Sequence, residues 1–167
     1  MNDIAAKHQA APGIRTTRLL IPVDATDRSR WGLRYALRLR EKGVPLHAVL
    51  LFVAEPVTRL EVLRFRAHDE IARFQAESGS HILDDAAQAL VDAGMAHEQI
   101  FREGDIVFQI LDVAEQLGCD EIVLPMPRPL IASLLRRDVV REVMRQERET
   151  LVITIDSEGR DILNRPR

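Results

Sequence analysis

A carboxylate follows the first apolar segment of the chain, at a place where parallel α/β sheets bind ligands. The run Arg18–Val23 is almost wholly apolar, as a strand is when both its faces are covered, and Asp24 comes directly after it. In such sheets, ligands bind at the carboxyl ends of the strands where the strand order reverses. Asp24 therefore either binds a small polar ligand or orders the turn that follows the strand.

A proline-rich segment with an arginine follows another apolar strand, Glu121–Leu124. This segment, Pro125–Pro129, reads PMPRP, and Arg136 and Arg137 follow it closely. Guanidinium groups bind anions through paired hydrogen bonds, so Arg128, Arg136 and Arg137 are candidates for an anion site. The alternatives are a solvated arginine on a stiff loop, or a loop that contacts another protein.

Residues that would indicate metal or covalent chemistry are sparse. The five histidines are scattered without a pair at i and i+4, and Cys119 is the single cysteine. Cys119 lies between a helix stop and a buried strand, which favours a packed thiol over a redox-active one. The chain has no G-x-S-x-G elbow, no P-loop and no G-x-G-x-x-G sequence. We therefore predict that the protein is not an enzyme and holds no cofactor or metal.

Strands and helices alternate along the rest of the chain. Two further apolar runs, Leu46–Val53 and Leu151–Ile155, are predicted strands, and the first is typical of a buried central strand. A short strand is also predicted near Gln99–Arg102. Apolar residues at helical spacing, with Thr26 or Asp27 and later Asp105 as N-caps, predict helices at Ser29–Lys42, Leu60–Ala93, 105–118 and Leu130–Glu147. The second of these has a candidate interruption at Ser78–Ser80. This alternation predicts a doubly wound α/β fold, with a five-stranded parallel sheet and helices on both faces.

Composition places the chain among ordinary single-domain proteins. Its 167 residues carry a net charge of -3 and are 46% hydrophobic, which excludes a disordered chain. No apolar run is long enough to span a bilayer, and the sequence shows neither a secretory signal pattern nor a basic stripe. We therefore expect a cytoplasmic protein that binds neither membranes nor nucleic acid. The domain is expected at 17–156, between tails at 1–16 and 157–167.

The ordered set of motifs resembles the universal stress protein family. The set comprises 22–24 (PVD) followed by Thr26, Ser29 and Ala36, then 103–105 (EGD) before a helix, and then 118–124 (GCDEIVL). The resemblance extends over about 18–155 and implies the strand order 3-2-1-4-5, with a homodimer joined through the last strand. It also implies that Asp24 would face a nucleoside, with the base near Val53 at the end of the second strand.

The glycine-rich loop found in the ATP-binding branch of that family is missing from this sequence. In that branch the loop reads G-x2-G-x9-G-[S/T], and its backbone N–H groups hold the phosphates. The three glycine positions fall on Pro125, Arg128 and Asp138 here, and the hydroxyl position falls on Val139. Prolines lack the N–H donor, and a carboxylate near phosphate adds repulsion. We therefore expect no ATP site of the usual kind; the alternative is an ATP or AMP site in which arginine side chains replace the loop.

The last strand would lie at a sheet edge in this strand order. It contains no Lys, Arg, Pro or Gly, and a clean apolar edge is a liability unless something covers it. We predict that a second copy covers this edge, through an interface formed by Leu151, Val152, Ile153, Thr154 and Ile155. The alternative is that the chain from Ser157 onward folds back over the edge.

Together these predictions favour a non-enzymatic homodimer that acts as a stress-response or regulatory module and does not bind ATP in the usual way. A nucleotide-binding member of the family is the first alternative. The second is an adaptor that binds a protein partner through the charged helix Leu60–Ala93. Nucleotide affinity separates the first two, and loss of a partner on mutation of that helix identifies the third.

Overall fold

Nine elements make up the part of the chain that the computed structural model describes, residues 15–56, 68–127, 138–147 and 149–162. The strands are β1 Thr17–Pro22, β2 Leu46–Ala54, β3 Ala96–Glu103, β4 Glu121–Pro125 and β5 Leu151–Ile155. The helices are α1 Trp31–Glu41, α2 His68–Asp92, α3 Ile106–Gln116 and α4 Val139–Gln146. All strand pairs are parallel, in the order β3-β2-β1-β4-β5. The predicted fold class and strand order are confirmed.

The central strand β1 contributes to two hydrophobic cores, one on each face of the sheet. Leu19 and Ile21 have no exposed surface and pack with residues of α1 and α2, whereas Leu20 is equally buried on the other face with α3 and α4. Because both faces are covered, the central strands show continuous apolar runs rather than alternation. Among the described residues, no helix has the length and apolar character that crossing a bilayer requires.

Helix α2 runs without a break through Ser78–Ser80, so the predicted interruption is wrong. Gly79 is present because the helix crosses the stacked rings of Phe52 and Phe101, whose centroids lie 5.8 Å apart. A methyl group at Gly79 would lie 2.7 Å from Phe52 Cδ1 and 2.8 Å from Phe101 Cδ2. The glycine therefore permits a close approach of helix and sheet and does not end the helix. Residues 60–67 of the predicted helix lie outside the described residues.

The start of α1 differs from the prediction, and the start of α3 confirms it. The N-cap of α1 is Arg30, without a side-chain cap, because Thr26 and Asp27 belong to a preceding turn in which Ser29 N donates to Thr26 O at 3.2 Å. The predicted Thr26 or Asp27 cap is therefore wrong. Asp105 caps α3 as predicted, since its carboxylate accepts from Phe108 N at 3.0 Å.

Helix α4 begins later than the predicted helix Leu130–Glu147. Asp138 has extended backbone angles, φ -88° and ψ 90°, and its carboxylate accepts from Arg141 N at 3.3 Å. Asp138 is therefore an N-cap, and the prediction of a helix running through it is wrong. Residues 128–137 lie outside the described residues. The other boundary differences are small: β1 is shifted by one residue from its predicted bounds, and β3 extends beyond them at both ends.

Strand β5 has the predicted bounds and the predicted place at the sheet edge. Residues 156–162 fold back beside its carboxyl half, where Asp161 forms an antiparallel bridge with Ile155 and Ile162 N donates to Thr154 O at 2.9 Å. The chain after β5, assigned to a tail by sequence, therefore covers part of this edge in the way that the alternative prediction described.

We predict that Gly79→Ala destabilises the protein by about 1 to 3 kcal/mol, because the new methyl group would overlap the Phe52 and Phe101 rings. The direction is informative, since glycine-to-alanine changes inside helices ordinarily stabilise by about 1 kcal/mol. Urea denaturation would measure the change. Ser80→Ala, at the exposed next position of α2, is the control and should be neutral or slightly stabilising. A Gly79→Ala protein as stable as wild type would contradict the close approach.

Candidate functional site

A cavity of about 520 Å³ opens at the carboxyl ends of β1, β2 and β4. It lies where β1 and β4 are neighbours and the chain leaves them in different directions, which is the ligand-binding position of doubly wound sheets. Its apolar walls come from strand ends, the first two turns of α3 and the first turn of α4, and include Leu51, Val53, Ile106, Ile110, Leu124, Val139 and Val140. Its charged lining residues are Asp24, Arg28, Glu55 and Asp138. This cavity is the candidate site.

Two of the sequence-predicted site residues, Asp24 and Val53, both line this cavity. Asp24 Oδ1 accepts hydrogen bonds from Thr26 N at 2.7 Å and from Thr26 Oγ1 at 2.6 Å. Ser29 Oγ, which is buried, lies 3.0 Å from the Asp24 carbonyl and 2.9 Å from the Thr26 carbonyl. Asp24 thus orders the turn after β1, as the structural alternative predicted, while its exposed side chain remains at the cavity wall.

Arg28 is a lining residue that sequence reasoning missed. Its guanidinium donates a hydrogen bond to the Met126 carbonyl, and its Cζ lies 4.8 Å from the centre of the Trp31 ring. The bond to Met126 joins the turn after β1 to the turn after β4 beside the cavity. The only signal in the sequence was its place in the first turn after a buried strand, since its partner is 98 residues away.

Asp138 places a carboxylate at the N-terminus of α4, inside the cavity lining. Its side chain is 11% exposed, and Oδ2 lies 3.1 Å from Arg141 Nε. A helix N-terminus carries partial positive charge and attracts anions, including phosphate. Here the protein's own carboxylate already satisfies that end of the helix.

The described lining of the cavity has more negative than positive charge. Asp24, Glu55 and Asp138 supply three carboxylates, and Arg28 supplies the one guanidinium in the described part of the chain. The candidate arginines Arg128, Arg136 and Arg137 lie outside the described residues. The described lining therefore suits an apolar body with neutral or cationic polar groups better than it suits a polyphosphate.

A second polar cluster lies at the opposite, amino end of the sheet. Arg18 forms an ion pair with Glu98, and His47 Nε2 lies 3.3 Å from Glu98 Oε1. Close by, burial raises the pKa of the Cys119 thiol to about 11, so the thiolate needed for redox or nucleophilic chemistry is scarce at neutral pH. In the described ranges, no group of three or more His, Cys, Asp or Glu residues is arranged to hold a metal ion. This cluster is an ion-pair network without a nucleophile.

Residues 15–153 match the sequence profile of the Universal stress protein family. The chain belongs to that family. No curated protein sequence matches it at a significant level. Solved structures of other universal stress proteins share the fold at low sequence identity.

Three of these structures illustrate the likeness. A universal stress protein from Archaeoglobus fulgidus is 23% identical with a TM-score of 0.69, over 85% of this chain and 50% of that one. A family member from Burkholderia pseudomallei is 20% identical with a TM-score of 0.66, over 86% and 98%. An Arabidopsis thaliana member with AMP bound is 15% identical with a TM-score of 0.57, over 90% and 96%. At these identities the likeness shows the fold alone.

Tyr35 and Glu121 form a half-buried titratable pair between α1 and the start of β4. The Tyr35 hydroxyl donates to Glu121 Oε2 at 3.1 Å. Burial raises the pKa of the Glu121 carboxyl, the bond from Tyr35 lowers it in part, and Asp120 and Asp161 raise it further. Burial and the Glu121 carboxylate likewise raise the pKa of Tyr35. Folding therefore disfavours the ionised form of Glu121 relative to its protonated form.

We predict that Glu121→Gln is more stable than wild type at neutral pH by up to about 1 kcal/mol, a limit set by water that screens the half-exposed group. Since folding raises the pKa of Glu121, its stabilising contribution is complete below the unfolded value, about 4.3, and is lost as pH rises through the folded value. Glutamine keeps the acceptor for Tyr35 and cannot ionise.

Urea denaturation at a series of pH values would check this prediction. The two proteins should have equal stability near the unfolded glutamate pKa and diverge as pH rises. Glu115→Gln removes the same charge from an exposed position of α3 and serves as the control. A wild type that gains stability relative to Glu121→Gln as pH rises would contradict the burial argument.

Proposed function

We propose that this universal stress protein is a non-enzymatic, cytoplasmic, homodimeric stress-response or regulatory module that does not bind ATP in the usual way. The observation that carries the proposal is the Asp138 carboxylate at the N-terminus of α4, inside the cavity where a nucleotide would lie. In the ATP-binding branch of the family, glycine and hydroxyl residues stand at this point instead.

Like-charge repulsion is the physical reason why Asp138 disfavours a triphosphate. Two like charges 4 Å apart repel each other by about 4 kcal/mol at the effective dielectric constant of a protein surface. Asp138 is nearly buried, so water screens it less than it screens Asp24 or Glu55. The Arg141 guanidinium, whose Nε lies 3.1 Å from Asp138 Oδ2, offsets part of this charge and lowers the repulsion below that figure. The prolines on either side of Met126 supply no N–H groups that could compensate.

A second candidate function is binding of a nucleotide with fewer phosphates through an arginine-based site. The cavity volume, about 520 Å³, is in the range of small-molecule sites, and Asp24 and Val53 lie together in its wall. The Arabidopsis thaliana relative was solved with AMP bound. Arg128, Arg136 and Arg137 lie in the sequence between Pro125 and Asp138, which both line the cavity.

We predict that nucleotide-stripped wild type shows no heat of binding with millimolar ATP in calorimetric titration. Asp138→Asn should bind ATP at least about tenfold more tightly than wild type, because the amide removes the negative charge and keeps an oxygen that can cap α4. Asp112→Asn is the matched control, since Asp112 lies on α3 away from the cavity lining and should leave affinity unchanged.

Parallel titrations with AMP and adenosine distinguish the two candidates. Micromolar ATP binding by wild type, weakened by Arg128→Ala, would overturn the proposal. AMP binding that is lost in Arg128→Ala, with no ATP binding, would favour the second candidate. Equal ATP affinities for wild type and Asp138→Asn would show that the carboxylate does not determine the preference.

A further inference from the structure

The segment 156–162 is a built turn that docks on the body of the domain. Asp156 Oδ1 accepts hydrogen bonds from Glu158 N and Arg160 N, both at 2.9 Å, and Gly159 N donates to the Asp156 carbonyl at 3.0 Å. Asp156 N donates in turn to the Arg160 carbonyl at 3.0 Å. These bonds close the turn and direct residues 161–162 back along β5.

Gly159 fits this turn closely against the backbone of α1. It is buried, and a side-chain carbon there would lie 2.5 Å from Tyr35 N and 2.7 Å from Arg34 C. Its φ is +69°, a value that glycine adopts without strain and other residues rarely do. The Arg34 guanidinium also donates a hydrogen bond to the Ser157 carbonyl. Only glycine fills this position without moving the helix or the turn.

The docked segment occupies the part of β5 that a second strand would need. Ile162 N donates to the Thr154 carbonyl at 2.9 Å, so the peptide groups of Thr154 face away from β4. Ile155 O accepts from Met126 N at 2.8 Å and faces the sheet. Because main-chain groups alternate in direction along a strand, the N–H and C=O of Val152 face outward as those of Thr154 do.

A two-fold pairing of two β5 strands centred on Ile153 would place Val152 of one copy opposite Thr154 of the other. It would therefore use the outward groups of both residues in each copy. Residues 161–162 already lie at the Thr154 end of that edge. The docked segment and a second β5 strand exclude each other.

We propose that residues 156–162 act as an intrachain cap on β5 that competes with self-association, so that a second copy pairs only after the cap is released. The proposal rests on the proposed homodimer through β5. If the capped form outnumbers the released form by about ten to one in each copy, the association constant of the dimer falls about a hundredfold, since both copies must release.

The test compares the dimer Kd of full-length variants by sedimentation, with hydrogen exchange of the C-terminal peptide as a direct measure of release. Gly159→Ala inserts a methyl group against Tyr35 N. It should speed hydrogen exchange of the C-terminal peptide and lower the dimer Kd by about tenfold or more. Gly43→Ala is the matched control, because Gly43 also has positive φ, +80°, and has no atom within 4 Å of the added carbon.

A second variant avoids any effect on α1. Ile162→Pro removes the N–H that binds the Thr154 carbonyl, at the periphery of the fold, and should have the same effect as Gly159→Ala. Adding Val152→Pro to either variant removes an outward donor of β5 without touching its bonds to β4, and should abolish the gained dimer.

The outcomes separate this inference from the proposed homodimer. A wild-type dimer whose C-terminal peptide stays protected would overturn the competition and leave the homodimer standing. Equal dimer Kd values in wild type and in variants with a released peptide would do the same. Variants that release the peptide and remain monomeric would overturn both the homodimer and the cap. Continued protection in both variants would overturn the cap, because the contacts from which it is inferred would not control its release.

Discussion

Leu19, Leu20 and Ile21 in the middle of β1 have no solvent-exposed surface, and the rest of the domain is arranged around the burial of these residues on both sides of the sheet. Alternate residues supply opposite cores, so helices must cover both faces. Because β1 pairs in parallel with both neighbours, the carboxyl ends of β2, β1 and β4 lie at the same end of the sheet. The cavity follows from this arrangement, because the connections after β1 and β4 leave the sheet at neighbouring positions.

The charged groups of the cavity are largely engaged with the protein itself. Asp24 orders the turn after β1, Asp138 caps α4, and Arg28 links the two turns through the Met126 carbonyl. These bonds hold the two turns and the start of α4 in one conformation. A ligand would therefore need to compete with contacts that hold the rim of the cavity together, which is a different situation from a loop whose free backbone N–H groups await a phosphate.

The two edge strands of the sheet, β3 and β5, differ in composition and in how they are covered. Every residue of β3 is at least partly exposed, and several of these residues, such as Glu98 and Arg102, are charged or polar. On β5, three of the five residues are buried, and the chain itself returns to cover the outer side of the carboxyl half. The exposed Leu151 lies at the other end of the same strand. An apolar edge strand is thus covered in part by local chain reversal, and its remaining outward groups define where another strand can pair.

The sequence by itself determined the alternation of strands and helices, their order and the Asp105 cap, because these depend on spacing and chemistry within a few residues. It misplaced the starts of α1 and α4. Family resemblance added the strand order, and with it the expectation that Asp24 and Val53 meet at one end of the sheet. Only the tertiary structure decided the roles of Gly79 and Gly159, which depend on how closely a helix approaches the Phe52 ring or a terminal turn. It also decided the partner of Arg28, 98 residues away. Such contacts depend on how elements that are distant in sequence pack against each other, and local sequence patterns do not specify that packing.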